Sequence, residues 1–288
     1  MRPPSFELNR PFPAFTNFSM TERNDGKMTY DSLQFTANKR WAKGLTLNMN
    51  YTWVPRWTED GANTTTGIGN AFVDEVSLLK NHGPYFSDRK HRVTASGVWE
   101  LPWRDRKDLL GYLAGGWSIA PMFVFQSGQP WDMPGNVDLA PGVKLSDIAL
   151  NGEKQGQFIY GVKPCVGQFN STTGNYDLVS YSLAYGCTQP YFLIRQAFQR
   201  RTAMFRYDEF RRPIYWEIDM NLSKTTRLTD RLRFQTRIEA FNILNSPMYD
   251  ELQYQQDTSS ADFGRINRNS RGQSNFQRFV QLGFRLIW

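Results

Sequence analysis

The sequence predicts an all-β fold: an antiparallel transmembrane β-barrel portion of about seven or eight strands, with long loops at one end. Three observations predict it. Apolar and polar residues alternate with period two in segments of about ten residues, the length of a tilted membrane-spanning strand. The links between those segments are short and long by turns. The chain of 288 residues is also polar on average, with a mean hydropathy of −0.56, yet 15% aromatic, with 21 Phe, 13 Tyr and 9 Trp.

A polar average excludes a helical membrane protein, and the chain holds no run of about 18 apolar residues. In a barrel, lipid-facing and lumen-facing residues alternate while Trp and Tyr gather at both interfaces, so aromatic richness on a polar background is expected. Composition alone suits a soluble all-β domain with sugar-binding loops equally well. The net charge of +7 and pI near 9.4 suit anionic lipid head groups, nucleic acid or an acidic ligand.

Taken in chain order, a half-strand around Phe15–Met20 precedes a segment in which Leu33, Phe35, Ala37 and Trp41 alternate with Gln34, Thr36, Asn38 and Arg40. The next puts Leu45, Leu47, Met49, Tyr51 and Trp53 on one face and Thr46, Asn48, Asn50 and Thr52 on the other. Val93, Ala95, Gly97, Trp99 and Leu101 then alternate with Arg92, Thr94, Ser96, Val98 and Glu100. The stretch from Trp117 to Ser127 is apolar on both faces for part of its length. Trp216, Ile218, Met220 and Leu222 alternate with Glu217, Asp219, Asn221 and Ser223. Leu232, Phe234, Thr236, Ile238 and Ala240 oppose Arg233, Gln235, Arg237 and Glu239. The last segment sets Val280, Leu282, Phe284, Leu286 and Trp288 against Gln281, Gly283 and Arg285.

Alternation does not say which face is wet. The connections decide it. Residues 42–44 and 228–230 are tight turns and 102–114 a moderate link, whereas 55–90, roughly 132–213 and 246–277 are long. This is the asymmetry of outer-membrane barrels, with short periplasmic turns and long extracellular loops. A compact soluble domain rarely carries three loops above about 15 residues at one end. Residues 132–213 are therefore expected to be one long extracellular loop.

Several stretches resemble the barrel of TonB-dependent receptors, the Oar-like receptors above all. Asn9-Arg10-Pro11-Phe12-Pro13 followed by Tyr30-Asp31-Ser32-Leu33-Gln34 is similar to the family's Pro-Tyr-Pro stretch and Tyr-x-x-Leu-Gln strand start. Asp88-Arg89-Lys90-His91-Arg92 leading to Leu101-Pro102 resembles its Asp-x-x-His-Arg strand. Gly115-Gly116-Trp117 through Ser127-Gly128-Gln129-Pro130 resembles its Gly-Gly-Trp strand. Glu239-Ala240-Phe241-Asn242-Ile243-Leu244-Asn245 resembles its penultimate strand, and Phe284 to Trp288 its aromatic-ended final strand, where Phe is the commoner last residue. Between 132 and 211 nothing resembles the family.

The resemblance implies the C-terminal part of a barrel of about 22 strands with a plugged lumen. It further implies residence in the bacterial outer membrane and uptake of a scarce nutrient (a siderophore, oligosaccharide or peptide) driven by the TonB complex. The implied partners are outer-membrane lipid and lipopolysaccharide, the plug and remaining strands of the same receptor, TonB through that plug, and the barrel insertion machinery through the last strand. The start of the chain, Met1-Arg2-Pro3-Pro4, has no apolar signal region behind it, which for an exported barrel implies a fragment or an internal start. The alternatives are a small self-contained outer-membrane barrel with an adhesive or structural role, and a soluble carbohydrate-binding β-sandwich.

Little in the chain suggests catalysis. No P-loop, Rossmann fingerprint, HExxH, EF-hand loop or GxSxG motif is present. His82 and His91 stand apart from any ligand or triad cluster, and an interfacial or lumen-facing place accounts for them. Glu217 and Asp219 share a face about 7 Å apart, but cross-strand pairing with Arg233 and Arg237 on a wet wall explains them. No catalytic residue, metal or cofactor is expected. Cys165 and Cys187 are read as a loop disulfide in an oxidising compartment, with two free thiols as the alternative.

The run from Gln196 to Arg212 is basic with interleaved aromatics. Such a run serves nucleic acid in some proteins; on a barrel rim, lipopolysaccharide phosphates or an anionic ligand fit it better. The ligand-contact candidates are Trp57, Tyr85, Trp131, Arg200, Arg201 and Arg206, with Phe158 and Tyr160 as further loop aromatics.

Overall fold

The computed structural model describes residues 27–41, 44–60, 82–102, 115–155, 158–196, 199, 201–246, 257–266 and 277–288. The half-strand expected at Phe15–Met20 and candidate Arg200 lie outside them.

Seven strands form an antiparallel meander: β1 (Lys27–Trp41), β2 (Leu45–Asp60), β4 (His91–Glu100), β5 (Trp117–Gln126), β12 (Tyr215–Arg227), β13 (Arg233–Phe241) and β14 (Phe279–Ile287). A short strand β3 (His82–Pro84) adds to the far end of β2. Each alternating segment of the sequence is one of these seven. Short turns join only neighbours, which accounts for β1–β2 and β12–β13; the long connections, that between β5 and β12 included, also return the chain to the adjacent strand. The turn after β12 shows how tight they are: Leu228 N–H and Thr229 N–H both donate to the Leu232 carbonyl, at 2.9 and 3.0 Å. Gly44, at φ +74°, supplies the left-handed residue ahead of β2.

The register places one apolar face across all seven strands. A single row runs Phe35–Tyr51–Val93–Phe125–Trp216, and another Leu222–Ile238–Leu282. On the other face Thr36, Asn50 and Thr94 stand side by side on β1, β2 and β4, and Asn221, Glu239 and Gln281 on β12, β13 and β14. The apolar face is the uncovered one. Leu282 and Phe284 are 66% and 67% exposed, whereas Glu217 and Asp219 on the polar face are each only 9% exposed. A soluble sandwich would reverse that order, so the greasy side faces hydrocarbon and the polar side lines the interior.

The buried hydrophobic core lies elsewhere, above the long-loop end of the sheet. Here the structure departs from the expectation that 132–213 is a plain loop. It folds into a cap of β6 (Val137–Leu139), helical turn α1 (Leu145–Ile148), β7 (Ala149–Gln155), β8 (Phe158–Val162), β9 (Val166–Asn170), β10 (Asn175–Leu178), α2 (Ser180–Tyr185) and β11 (Phe192–Ile194). One sheet orders β10-β9-β11-β6, with β9 and β11 parallel, and β7 pairs β8. Cys165 and Cys187 are joined by a disulfide, their Cα atoms 5.6 Å apart, tying the start of β9 to the end of α2.

Phe263 and Ile266, from the connection before β14, complete this core. Gly161 N–H donates to the Gly264 carbonyl and Ile266 N–H to the Ile159 carbonyl, so that connection docks along β8. Tyr181 Oη donates to the Thr258 carbonyl at 2.6 Å, beside Asn136 Nδ2 donating to Thr258 Oγ1 at 2.8 Å. Burial first, and the nearby Asp257 charge second, push the Tyr181 phenol upward in pKa.

Candidate functional site

The site that the fold assembles is the mouth between cap and sheet. Its geometry starts from a bulge in β2. Asp31 pairs with Arg56 but Leu33 with Trp53, so β2 carries one extra residue between them. An extra residue inverts the alternation beyond it. Val54 is buried, Pro55 sits at the bulge where its missing N–H is tolerated, and Trp57 and Glu59 turn to the inner side.

Glu59 thereby meets the cap. Arg206, 1% exposed, donates Nη1 to Glu59 Oε1 at 2.5 Å and Nε to Asp132 Oδ1. Its guanidinium lies 4.9 Å from the Phe205 ring centroid and 5.8 Å from that of Phe86. Gly83 lets β3 pass close by, since a Cβ there would sit 3.2 Å from the Arg206 carbonyl oxygen. A second knot lies at the rim. Asp88, fully buried, receives Arg211 Nη2 at 2.6 Å and Lys90 Nζ at 3.1 Å, while Asp208 takes Arg211 at 2.7 Å and Lys90 at 3.4 Å. Arg211 Nη1 also donates to the Asp88 and Gly128 carbonyls. Two such clusters pin the cap to the wall at β2 and at the start of β4.

Of the six ligand candidates, Trp57 and Tyr85 come together. Their rings stack at 4.5 Å, with Tyr30 edge-on to Trp57 at 4.9 Å and Phe86 against Tyr85 at 4.5 Å. Both are partly exposed, so this aromatic row remains open to a ligand. The other described candidates do not. Trp131 is fully buried against Phe210, and Arg201, buried among Asp138, Arg195 and Tyr207, donates to the Met204 carbonyl. Burial, then the like charge of Arg195, lower the Arg201 pKa. With Arg206 closed in its clamp, these three hold the cap and do not face lipopolysaccharide or solute. Phe158 packs under the Arg265 guanidinium, and Tyr160 against Tyr185.

The expected cross-strand pairing of Glu217 and Asp219 with Arg233 and Arg237 is also corrected. The β12–β13 register puts Arg233 opposite Arg227 and Arg237 opposite Ser223, below the acidic pair. Glu217 instead takes the Tyr215 hydroxyl, and Asp219 the Asn242 backbone N–H at 2.8 Å. His91 lies on the apolar face, bonded to the Tyr51 hydroxyl at 2.9 Å. Sequence reasoning gave Glu59 and Asp208 no place and named Asp88 only as the first residue of a strand motif. No periodicity marks them: Glu59 meets Arg206 147 positions away and Asp88 meets Arg211 123 positions away, while Asp208 joins that knot through Arg211 and the distant Lys90.

Comparison with known proteins gives one result and one blank. A family model described as "Outer membrane beta barrel domain" matches residues 2–281. No curated protein matches. The matched span includes every membrane strand except the last residues of β14, and its description agrees with a meander whose apolar face is bare. The chain therefore belongs to the outer membrane beta barrel domain family and resides in the bacterial outer membrane.

Proposed function

We propose that the chain is the C-terminal barrel portion of a TonB-dependent receptor that takes up a scarce nutrient across the outer membrane. The observation that carries this reading is the open sheet. Among the described residues β1 pairs with β2 alone and β14 with β13 alone. A bilayer does not tolerate unpaired backbone at a strand edge, so seven strands need further strands to close the wall. The ordered motifs from Asn9 to Trp288 support the receptor reading, and the capped mouth with its Tyr30–Trp57–Tyr85 row suits capture of a solute before passage. Lipid and lipopolysaccharide contact the apolar face on this reading; a plug and TonB act from the lumen and below. The chain itself performs no chemistry on the solute.

The test is growth on limiting nutrient. Strains lacking this gene, or lacking TonB, should fail on the same iron chelate, oligosaccharide or peptide. A gene deletion whose growth defects are indifferent to TonB would end the receptor reading. A self-contained small barrel would need β14 bonded to the first strand of this same chain, which disulfide trapping between cysteines placed on β14 and β1 would reveal.

A further inference from the structure

Below the bulge in β2, the inner faces of β1, β2 and β4 form a stretch of wall without charge. Two rungs define it, Thr36–Asn50–Thr94 and Asn38–Asn48–Ser96, each side chain directly opposite the next. Gln34 and Thr52 extend it toward the mouth. Charge returns at the ends, where Arg92 stands opposite Thr52 and Arg40 opposite Thr46. The same face of β12 and β13 differs: it carries Glu217, Asp219 and Glu239 toward the loops and Arg227, Arg233 and Arg237 toward the turns.

All six rung residues but the half-buried Thr94 are exposed. Thr36 Oγ1 donating to Asn50 Oδ1 at 2.9 Å is their one side-chain hydrogen bond among the described residues. Amides and hydroxyls both donate and accept. The wall therefore offers a field of directed, uncharged hydrogen-bonding groups, about 4.8 Å apart between strands and about 7 Å apart between rungs. The aromatic row crowns the same two strands. Tyr30 on β1 stands opposite Trp57 on β2, four residues from Gln34 and so about 13 Å along the strand, and is 46% exposed.

We infer that the solute is a neutral oligosaccharide, held by its sugar faces on the Tyr30–Trp57–Tyr85 row and passed inward by its hydroxyls along the rungs of β1, β2 and β4. The inference rests on the uptake reading above. A pyranose ring has an apolar C–H face that suits an aromatic ring, and a rim of hydroxyls that matches amide and hydroxyl partners. An anionic chelate would call for available cations at the mouth. The guanidinium there, Arg206, is 1% exposed and closed on Glu59 and Asp132. A peptide brings ionised termini, which the rungs leave without counter-charge.

The test uses the source bacterium, with the gene at its own locus and the whole protein in its native membrane. Labelled linear oligosaccharides of glucose, xylose and mannose are the probes, with oligogalacturonate as the anionic control. At least one neutral probe should bind cells that carry the protein and not the deletion strain. Trp57→Ala should weaken that binding about tenfold, and Trp57→Phe much less, at equal surface abundance. Asn38→Asp/Asn48→Asp, which keeps side-chain size and adds charge, should slow uptake of the bound probe about tenfold. No neutral probe bound, equal retention of oligogalacturonate, or unchanged uptake in the aspartate variant overturns the inference. TonB-dependent growth on an iron chelate with no oligosaccharide bound would sink it and spare the receptor reading. Protein-dependent oligosaccharide uptake that persists without TonB would do the reverse.

Discussion

At Arg206 a single guanidinium draws two carboxylates, Glu59 and Asp132, away from water and against Phe205. Removing one member of such a set leaves a buried charge uncompensated, which costs about 3–5 kcal/mol. Arg206→Ala should lower the stability of the cap by that order, read as a shift in the urea midpoint from amide exchange at Val137, Val162 and Val166. Arg206→Met with Glu59→Leu should recover most of the loss, since the stranded carboxylate goes with its partner. Arg206→Lys should not, because one ammonium lacks the fork that reaches two acids from different sides. Tyr181 gives a pH signature. Its folded-state pKa is raised above the ordinary value of 10.0, so the unfolded chain loses the phenolic proton first as pH climbs. Fewer protons on the unfolded state mean that stability falls with rising pH, beginning near pH 10 and continuing toward the folded value. The urea midpoint of the cap should drop through that window, and less steeply in Tyr181→Phe. A flat profile above pH 10 would contradict the burial of this hydroxyl.

Among the elements, the seven membrane strands were legible because each alternates over about ten residues and one face must stay apolar along its whole length. The cap strands were not. β6, β8, β9 and β11 are three to five residues long and the first three bury adjacent residues, so Val137, Val162, Val166 and Phe192 stand in short stretches of sequence with no period to betray them. A trace did exist in Phe169-Asn170 and Asn175-Tyr176 flanking a Thr-Thr-Gly turn with Gly174 at φ +71°. The basic run that ends in Arg212 misled for a related reason. Its exposure depends on Glu59, 147 residues away from Arg206, and Glu59 points inward only because of the extra residue in β2. The disulfide closes 22 residues of sequence inside this small unit, and a loop of that length adds roughly 3 kcal/mol. Reductant should therefore lower the urea midpoint of the cap by that order, while the heat-modifiable gel mobility that reports the membrane sheet stays unchanged. Loss of both together would mean that cap and sheet unfold as one.

For the whole molecule, the bare apolar face dictates behaviour in solution. Leu33, Phe35, Leu47, Met49, Leu282, Phe284 and Leu286 form a broad exposed surface with no protein partner among the described residues, far beyond the few hundred Å² that soluble monomers tolerate. The chain should aggregate in buffer and become dispersed, with strand-rich circular dichroism, only on adding detergent or lipid vesicles. A monodisperse detergent-free monomer would contradict the membrane orientation of the sheet. The register carries more than the fold. It also sets Arg227 against Arg233 and groups the arginines on one half of the inner wall, a placement that no single strand displays.

Phe263 and Ile266 reach the same core as Val137 and Phe192, although long stretches of chain separate the two connections. Surface loops of an outer-membrane protein ordinarily drift under pressure from phages and antibodies, each on its own. Here a change in one loop's interior must be matched in the other, so innovation is confined to places such as the exposed Ser171–Gly174 tip, where inserted residues meet only water.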